Sequence, residues 1–271
     1  MDYPAYSDLA GKVVVVTGGS RGLGAETARA FAAQGAKVAV VGRDGEALDE
    51  VVAGIRKDGG TAVGVVADVT DLSALEAVRE AAETELGPVD VVAAFAGGGI
   101  ARPGPTAAMS ETEWHSVVDG NLTATFLTAK VFLPGMQERR RGAIITMASS
   151  AGREPSNLPS ALGGPPGGRS WGAPVAYAAA KAGVIMFTEH VAAEVGQHGI
   201  RVNCVAPAAI RTERTAALMG PVGVERVAAM HPLGRIGEPS DVAGTTLFLA
   251  SESASWLTGL TIDIAGGRIM N

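Results

Sequence analysis

The 271-residue chain has one cysteine, Cys204, and only 4% aromatic residues. A single thiol excludes an intrachain disulfide framework and is typical of a protein from a reducing compartment. Cys204 lies in the apolar segment RVNCV, which has the composition of a buried strand. We therefore expect a structural thiol rather than a catalytic one.

Features of membrane, secreted and nucleic-acid-binding proteins are also absent from the sequence. No apolar run approaches the ~18 residues of a membrane span, and no basic segment followed by an apolar stretch opens the chain, as it would in a signal peptide. The net charge is −6, which argues against nucleic acid or an anionic membrane as a partner. The four histidines show no ligand spacing, so no metal site is expected. These absences predict a cytoplasmic protein.

Apolar, strand-like segments alternate with helical patterns along almost the whole chain. Such an alternation predicts a parallel sheet that is buried on both faces. The right-handed crossover rule then favours a doubly wound α/β fold. Strands are predicted at residues 12–17, 37–41, 61–67, 89–95, 143–148, 200–206 and 260–264. Helices are predicted at 22–34, 46–57, 72–86, from Glu111 onward, at 175–197 and at 241–250.

Two segments interrupt this alternation. Residues 153–174 contain five prolines among several glycines, which predicts a long loop insertion. Residues 210–231 carry apolar residues without strand signals and are expected to form a helical excursion above the sheet. Both segments follow a strand, at the edge where open α/β sheets bind their ligands.

A glycine-rich turn, TGGSRGLG at residues 17–24, connects the first strand to the first helix. A pyrophosphate needs free backbone N–H groups, the positive end of a helix and no side chain in its way. Gly18, Gly22 and Gly24 are suited to the turn, the close approach and the helix packing. Because strand, turn and helix occur in the required order, the segment predicts a dinucleotide site.

The second predicted strand ends in residues that bear on the choice of cofactor. An NAD site carries an acidic residue here, and this sequence has Gly42 followed by Arg43. Arg43, with Arg21 from the glycine turn, suits a 2′-phosphate and favours NADP(H). The alternative is that Arg43 is a solvated loop residue; Asp44 is expected to cap the next helix in either case. Asp68 follows the third strand, where it suits either the adenine amino group or the cap of a turn.

Tyr177 and Lys181 are four residues apart in a strongly helical stretch, so they share one helix face. A phenol with a pKa near ~10 acts as an acid or base at neutral pH only when a cation stabilises its anion. Lys181 is placed to be that cation, although such a pair alone often means packing and a solvated charge. Ser149 ends a strand, where it is placed to donate to a substrate carbonyl. Asn121 lies within a helical pattern, where a short amide side chain binds a water or a free carbonyl.

Taken together, these motifs resemble the short-chain dehydrogenase/reductase family, and most closely its 3-oxoacyl-carrier-protein-reductase-like branch. The resemblance covers about residues 9–267 and rests on TGGSRGLG, DVT at 68–70, Asn121, Ser149, YAAAK at 177–181 and RVNCVAP at 201–207. It implies a single Rossmann-type domain over residues 1–271, with seven parallel strands in the order 3-2-1-4-5-6-7. The function it implies is interconversion of a carbonyl and a secondary alcohol on a small organic or acyl-type substrate with NADP(H). Alternatives are an NAD-dependent alcohol dehydrogenase and a catalytically silent dinucleotide-sensing or scaffold protein.

The resemblance also assigns roles to individual residues. Tyr177 is implied as the general acid or base, Lys181 lowers its pKa and contacts the nicotinamide ribose, Ser149 polarises the carbonyl, and Asn121 holds a water in a relay to Lys181. Ile210 and Thr212 match positions that bind the carboxamide. The tail residues Ile269 and Met270 match segments that pack between subunits, which implies a homotetramer, whereas Trp256 is expected to pack near the last strand. The cofactor-binding set is Gly18, Ser20, Arg21, Gly22, Leu23, Gly24, Arg43, Asp68, Val69, Ala96, Gly97, Tyr177, Lys181, Pro207, Ile210 and Thr212.

The sequence departs from the family pattern in several places. Ala94 and Phe95 replace two asparagines after the fourth strand, so this part of the sheet must be braced otherwise, and the Phe95 ring must not block the cofactor crevice. The gap between Ser149 and Tyr177 is 28 positions, about twice that expected, and Ser150 competes with Ser149 as the substrate donor. Pro207-Ala208 replaces Pro-Gly, which restricts that loop.

Overall fold

One parallel sheet of seven strands organises the molecule. The computed structural model describes residues 3–98, 105–154, 173–219 and 223–270. The strand order is β3-β2-β1-β4-β5-β6-β7, which confirms the predicted fold class and topology. The strands are β1 (Val13–Thr17), β2 (Lys37–Gly42), β3 (Thr61–Val66), β4 (Val91–Ala94), β5 (Gly142–Met147), β6 (Ile200–Pro207) and β7 (Thr261–Ile264).

Helices cover both faces of the sheet and bury the apolar strands. Val14 and Val16 pack in the layer that contains α1 (Gly22–Ala33) and α9 (Pro239–Ala250), while Val13 and Val15 pack in the layer that contains α3 (Leu72–Glu85) and α5 (Ala124–Arg139). This alternation explains why the strands read as continuous apolar runs. The helices are α1 (Gly22–Ala33), α2 (Gly45–Lys57), α3 (Leu72–Glu85), α4 (Glu111–Val118), α5 (Ala124–Arg139), α6 (Val175–Val195), α7 (Glu213–Met219), α8 (Val224–Ala228) and α9 (Pro239–Ala250).

The strand order reverses direction between β1 and β4, and at such a position a crevice is expected at the carboxyl edge of the sheet. At that edge Thr17 of β1 pairs with Val41 of β2 on one side and with Ala94 of β4 on the other. The chain leaves β1 toward one face and β4 toward the opposite face, so the two following loops separate. Ligands of doubly wound sheets bind in a crevice at this position.

β4 is shorter than the predicted strand at residues 89–95. The hydroxyl of Thr17 accepts hydrogen bonds from the backbone N–H of Phe95 and of Ala96, both at 3.1 Å, and these turn the chain out of the ladder. Thr17 therefore provides a brace at the position where the family has two asparagine amides. The side chain of Phe95 is 7% exposed and packs in the α1–α9 layer, so its ring does not block the crevice.

The predicted helix from Glu111 onward is interrupted. Ser110 and Glu113 form a capping box at the start of α4. A π-helical turn, Asp119–Thr123, then separates α4 from α5. Such turns often mark functional sites, and this one contains Asn121.

Several other expectations can be compared with the described residues. Cys204 is fully buried on β6, as expected for a structural thiol. Trp256 lies in the turn between α9 and β7 with 96% of its surface exposed, so the expectation that it packs near the last strand is wrong. None of the described helices is long and apolar enough to span a membrane. Most of the predicted insertion at 153–174 lies outside the described residues.

Candidate active site

The glycine turn after β1 is packed too closely for side chains. A Cβ at position 24 would overlap the carbonyl group of Gly18, approaching its carbon atom to 2.7 Å. A Cβ at position 18 would lie 2.9 Å from the Cα of Ala96, and Gly18 has a φ of +68°, which favours glycine. The turn thus holds the start of α1 against β1 and against the loop after β4.

The start of α1 has the features of an anion site. Arg21 occupies the N-cap position in an extended conformation, and its side chain does not cap the helix. The first turn of α1 contains no acidic residue. The first N–H groups of a helix without such an acceptor bind anions through hydrogen bonds and the helix dipole.

At the end of β2, two arginines face two carboxylates. Arg21 Nη2 lies 2.5 Å from Asp44 Oδ2, and Arg43 Nη1 lies 3.8 Å from Asp68 Oδ2. The hydrogen bond from Arg21 lowers the pKa of Asp44, and Asp44 also caps α2 by accepting from Ala47 N–H, as predicted. A 2′-phosphate bound here would therefore compete with both carboxylates for the arginines.

The other predicted contacts around the adenosine end have structural partners. A Cβ at position 42 would lie 3.2 Å from Ser20 Oγ, which brings the glycine turn against the end of β2. Asp68 Oδ1 accepts hydrogen bonds from the backbone and hydroxyl of Thr70, and these lower its pKa. The side chain of Val69 is buried in the α3–α5 layer, and Leu23 packs against the α1–α9 layer.

Ser149 and Tyr177 meet at the end of β5. Ser149 caps the short helical turn Ser150–Gly152 by accepting from the N–H of Ala151 at 3.2 Å. Its hydroxyl also lies within hydrogen-bonding reach of the hydroxyl of Tyr177 near the start of α6. This contact favours Ser149 over Ser150 as the polar partner of Tyr177. Burial raises the pKa of Tyr177, and the Ser149 hydrogen bond opposes that rise.

Lys181 is the buried cation of the site, with 3% of its surface exposed. Its Nζ donates to the carbonyl oxygen of Met147 at 2.8 Å and lies 5.6 Å from the centroid of the Tyr177 ring. Burial lowers the pKa of Lys181 from 10.5 to about 8. The amine is therefore poised to change its charge in mildly alkaline solution.

Asn121 and Lys181 approach the same point of the loop after β4. The Oδ1 atom of Asn121 accepts from the N–H of Gly98 at 3.0 Å, and its Nδ2 donates to the carbonyl of Val117 at 2.8 Å. A Cβ at position 97 would lie 2.7 Å from Asn121 Oδ1 and 3.3 Å from Lys181 Nζ. The loop passes between the two side chains only because residue 97 is glycine.

The segment after β6 returns toward the glycine turn. Pro207 ends β6, and Ile210 is buried and pairs with Gly237. The methyl group of Thr212 would lie 3.5 Å from a Cβ at Gly22. The hydroxyls of Thr212 and Thr215 are 2.9 Å apart and stabilise the start of α7.

The chain is similar in sequence and in fold to several known proteins. A family model described as short chain dehydrogenase matches residues 12–164, and one described as enoyl-(acyl carrier protein) reductase matches residues 165–268. The 3-oxoacyl-[acyl-carrier-protein] reductase of Vibrio cholerae is 38% identical over 97% of this chain and 99% of its own length. The cyclohexanol dehydrogenase of Rhodococcus sp. is 36% identical over 96% of each chain. A short-chain type dehydrogenase/reductase from Mycobacterium marinum has a similar structure, with a TM-score of 0.87, 33% identity and 98% coverage of both chains.

The chain belongs to the short-chain dehydrogenase family. It is an oxidoreductase, and the family uses a nicotinamide dinucleotide. The residues of this short-chain dehydrogenase fit such a cofactor, because no side chain caps the start of α1 and its first turn carries no acidic residue. The nearest atom to a Cβ added at Gly22 would be the Thr212 methyl group at 3.5 Å, so this glycine leaves space beside the N–H groups of the helix.

One charged residue of this crevice was missed by the sequence analysis. Arg214 of α7 donates from Nη1 to the carbonyl oxygen of Gly98 at 2.8 Å. Its charge opposes the rise in the pKa of Tyr177 that burial causes, and it adds to the lowering of the pKa of Lys181, for which burial is the main cause. The sequence places Arg214 in the predicted excursion at 210–231, but no local pattern links it to a glycine 116 positions earlier.

Proposed function

We propose that this short-chain dehydrogenase interconverts a carbonyl and a secondary alcohol on a small organic or acyl-type substrate, with NADP(H) as cofactor. The observation that carries the proposal is the contact of the Tyr177 and Ser149 hydroxyls beside the buried ammonium of Lys181. A phenol acid or base, a hydroxyl donor and a cation are the groups that this reaction requires of a protein.

In reduction, Tyr177 donates its proton to the oxygen of the substrate carbonyl, and in oxidation it removes the proton of the alcohol. Ser149 donates a hydrogen bond to the same oxygen and orients the substrate. Lys181 stabilises the phenolate that forms when Tyr177 loses its proton. Asn121 holds the loop after β4 through Gly98, and its part in a water relay to Lys181 stays a prediction.

When bound, the nicotinamide supplies or accepts the hydride. The start of α1, with Gly18, Ser20, Gly22, Leu23 and Gly24, would hold the pyrophosphate. At the other end of the crevice, the chain would hold the nicotinamide half through Ala96, Gly97, Tyr177, Lys181, Pro207, Ile210 and Thr212. Asp68 and Val69 would border the adenine.

The preference for NADP(H) is supported by Gly42, which has no side chain at the position where an NAD site carries an acidic residue, and by the exposed guanidinium of Arg43. One observation favours the NAD-dependent alternative, because the guanidinium of Arg21 is already paired with Asp44. A silent dinucleotide sensor has no need for Tyr177, Lys181 and Ser149 in contact, so the geometry supports an enzyme.

The proposal is tested by replacing Tyr177 with Phe and assaying a panel of carbonyl and alcohol substrates. Loss of the phenol removes acid–base catalysis, so kcat should fall by roughly 10²- to 10⁴-fold, while the Kd of the cofactor stays close to that of the wild type. Tyr6→Phe, on the N-terminal segment, is the matched control and should leave kcat unchanged. Full activity of Tyr177→Phe would refute the mechanism, and tight cofactor binding by the wild type without turnover of any substrate would favour the sensor.

A homotetramer and a cytoplasmic location remain predictions. Apolar side chains at the surface support assembly: Phe126 on α5 is 45% exposed, Met186 on α6 is 53% exposed and Met270 in the tail is 78% exposed. Sedimentation equilibrium measures the number of subunits directly, and a monomer at micromolar concentration would contradict the assembly.

A further inference from the structure

Arg214 connects two loops that border the candidate active site. It lies on α7, in the segment after β6. Its guanidinium donates a hydrogen bond to the carbonyl of Gly98 in the loop after β4. A Cβ at position 98 would approach the guanidinium carbon of Arg214 to 2.7 Å, so the group packs directly on the backbone of this glycine. Gly98 also has a φ of +98°, which favours glycine at this contact.

One further hydrogen bond links the Arg214–Gly98 contact to the predicted catalytic residues. The N–H of Gly98 donates to Asn121 Oδ1, and a Cβ added at the neighbouring residue Gly97 would lie 3.3 Å from Lys181 Nζ. Arg214 therefore holds the carbonyl of Gly98, while Asn121 holds the N–H of the same residue. Movement of the guanidinium would release the carbonyl of Gly98 and loosen that loop.

The charge of Arg214 is permanent and, within the described residues, it forms no ion pair that would neutralise it. The polar and charged groups that influence ionisation of the Tyr177 hydroxyl are Ser149 after β5, Lys181 on α6 and Arg214 on α7. The side chains whose charge influences the pKa of Lys181 are Cys204 on β6 and Arg214 on α7. Because burial brings the pKa of Lys181 to about 8, the ammonium begins to lose its proton in mildly alkaline solution. Arg214 keeps its charge at that pH.

We propose that Arg214 is a positioning residue of the reaction, which holds the loop after β4 against Asn121 and provides a fixed positive charge that stabilises the ionised hydroxyl of Tyr177. The inference rests on the proposed role of Tyr177. It adds a second, solvent-exposed cation to the buried ammonium of Lys181.

Three substitutions separate the charge from the hydrogen bond. Arg214→Lys keeps the charge, Arg214→Gln keeps a donor without the charge, and Arg214→Met keeps neither. In the protein without cofactor, labelled lysine side chains report the titration of Lys181 by NMR, and Lys181→Met assigns its resonance. Removal of a nearby cation favours the protonated amine, so Arg214→Gln should raise the midpoint of Lys181 by about half a pH unit or more. Arg214→Lys should leave it near that of the wild type.

Turnover provides the second measurement. In the direction of alcohol oxidation, kcat/KM rises with pH as Tyr177 becomes ionised. Loss of the charge should move this rise to higher pH in Arg214→Gln and Arg214→Met, and Arg214→Lys should restore it. Amide hydrogen exchange at Gly98 should become faster in Arg214→Met than in Arg214→Lys.

Two results would overturn the inference: an unchanged Lys181 midpoint in Arg214→Gln, or equal losses of activity in Arg214→Lys and Arg214→Gln with the pH profile unmoved. Circular dichroism establishes whether each variant is folded. If Arg214→Met does not fold, the comparison of Arg214→Lys with Arg214→Gln still tests the inference. Since the NMR titration needs no turnover, its failure is distinct from failure of the proposed function, which Tyr177→Phe tests.

Discussion

The ammonium group of Lys181 lies over the ring of Tyr177, 5.6 Å from its centroid, while its hydrogen bond goes to the carbonyl of Met147. The lysine thus acts on the phenol through its electric field across the ring. The cost of this arrangement is a charge buried in the protein, which lowers the pKa of Lys181 to about 8.

Replacing Lys181 with Met should stabilise the fold at neutral pH and abolish turnover. The pKa of this lysine is lower in the folded chain than in the unfolded chain, where it is near 10.5. Below pH 8 both states carry the charge and the folded state bears the full burial penalty. As the pH rises toward 10.5, the folded state releases the proton first, so its stability rises and the advantage of Lys181→Met disappears. We expect a gain of about 1 to 3 kcal/mol at pH 7, measured by urea unfolding at pH 7 and pH 10. A variant that is less stable at pH 7 would contradict the burial penalty.

Replacing Arg43 with Asp should shift the cofactor preference toward NAD(H). The substitution removes the cation proposed for the 2′-phosphate and places a carboxylate where ribose hydroxyls bind. The measurement is the ratio of kcat/KM for NADP(H) to that for NAD(H). Arg56→Asp at the end of α2 adds the same charge change elsewhere and serves as the control. An unchanged ratio in Arg43→Asp would count against the assignment.

Replacing Asp44 with Asn should strengthen binding of NADP(H). Asn keeps the cap of α2 because its side-chain oxygen still accepts from the N–H of Ala47. It removes the carboxylate that holds Arg21, so the guanidinium becomes available to a phosphate. We expect the Kd of NADP(H) to fall several-fold and that of NAD(H) to change little, as measured by calorimetry. Equal changes for both cofactors would show that Arg21 is not a 2′-phosphate ligand.

Replacing Gly24 with Ala should destabilise the fold and impair dinucleotide binding. The added Cβ would overlap the carbonyl of Gly18, and both groups belong to backbone that cannot move independently. We expect a loss of roughly 1 to 3 kcal/mol in the free energy of unfolding. Gly54→Ala is the matched control in the interior of α2, where an added Cβ has no atom within 4 Å. It should be neutral or stabilising by about 0.5 to 1 kcal/mol. Similar losses in both variants would contradict the packing argument.

The parts of the site that the sequence predicted are those set by local geometry. Tyr177 and Lys181 share a helix face because residues four apart always do. The glycine turn follows from a strand, a turn and a helix in sequence order. The strand order follows from the handedness of crossovers and the family resemblance.

The parts that were not predicted depend on contacts between distant segments. Arg21 was predicted to bind a 2′-phosphate and Asp44 to cap a helix, and their ion pair arises only because β1 and β2 are neighbours. The turn that holds Asn121 interrupts a helical pattern that looks continuous, because a single π-helical turn adds little to the hydrophobic period. Arg214 meets Gly98 because the segment after β6 folds back over the sheet. No local sequence motif predicts that this segment folds back to reach Gly98.

The burial of Cys204 has a practical consequence. The only thiol of the chain is enclosed in β6, and burial raises its pKa, so it is a poor target for alkylating reagents while the protein is folded. Two cysteines introduced at surface positions on opposite sides of the crevice would therefore be the only reactive thiols of the folded protein. Fluorophores or spin labels can be attached to both without first removing Cys204, which makes distance measurements across the crevice accessible.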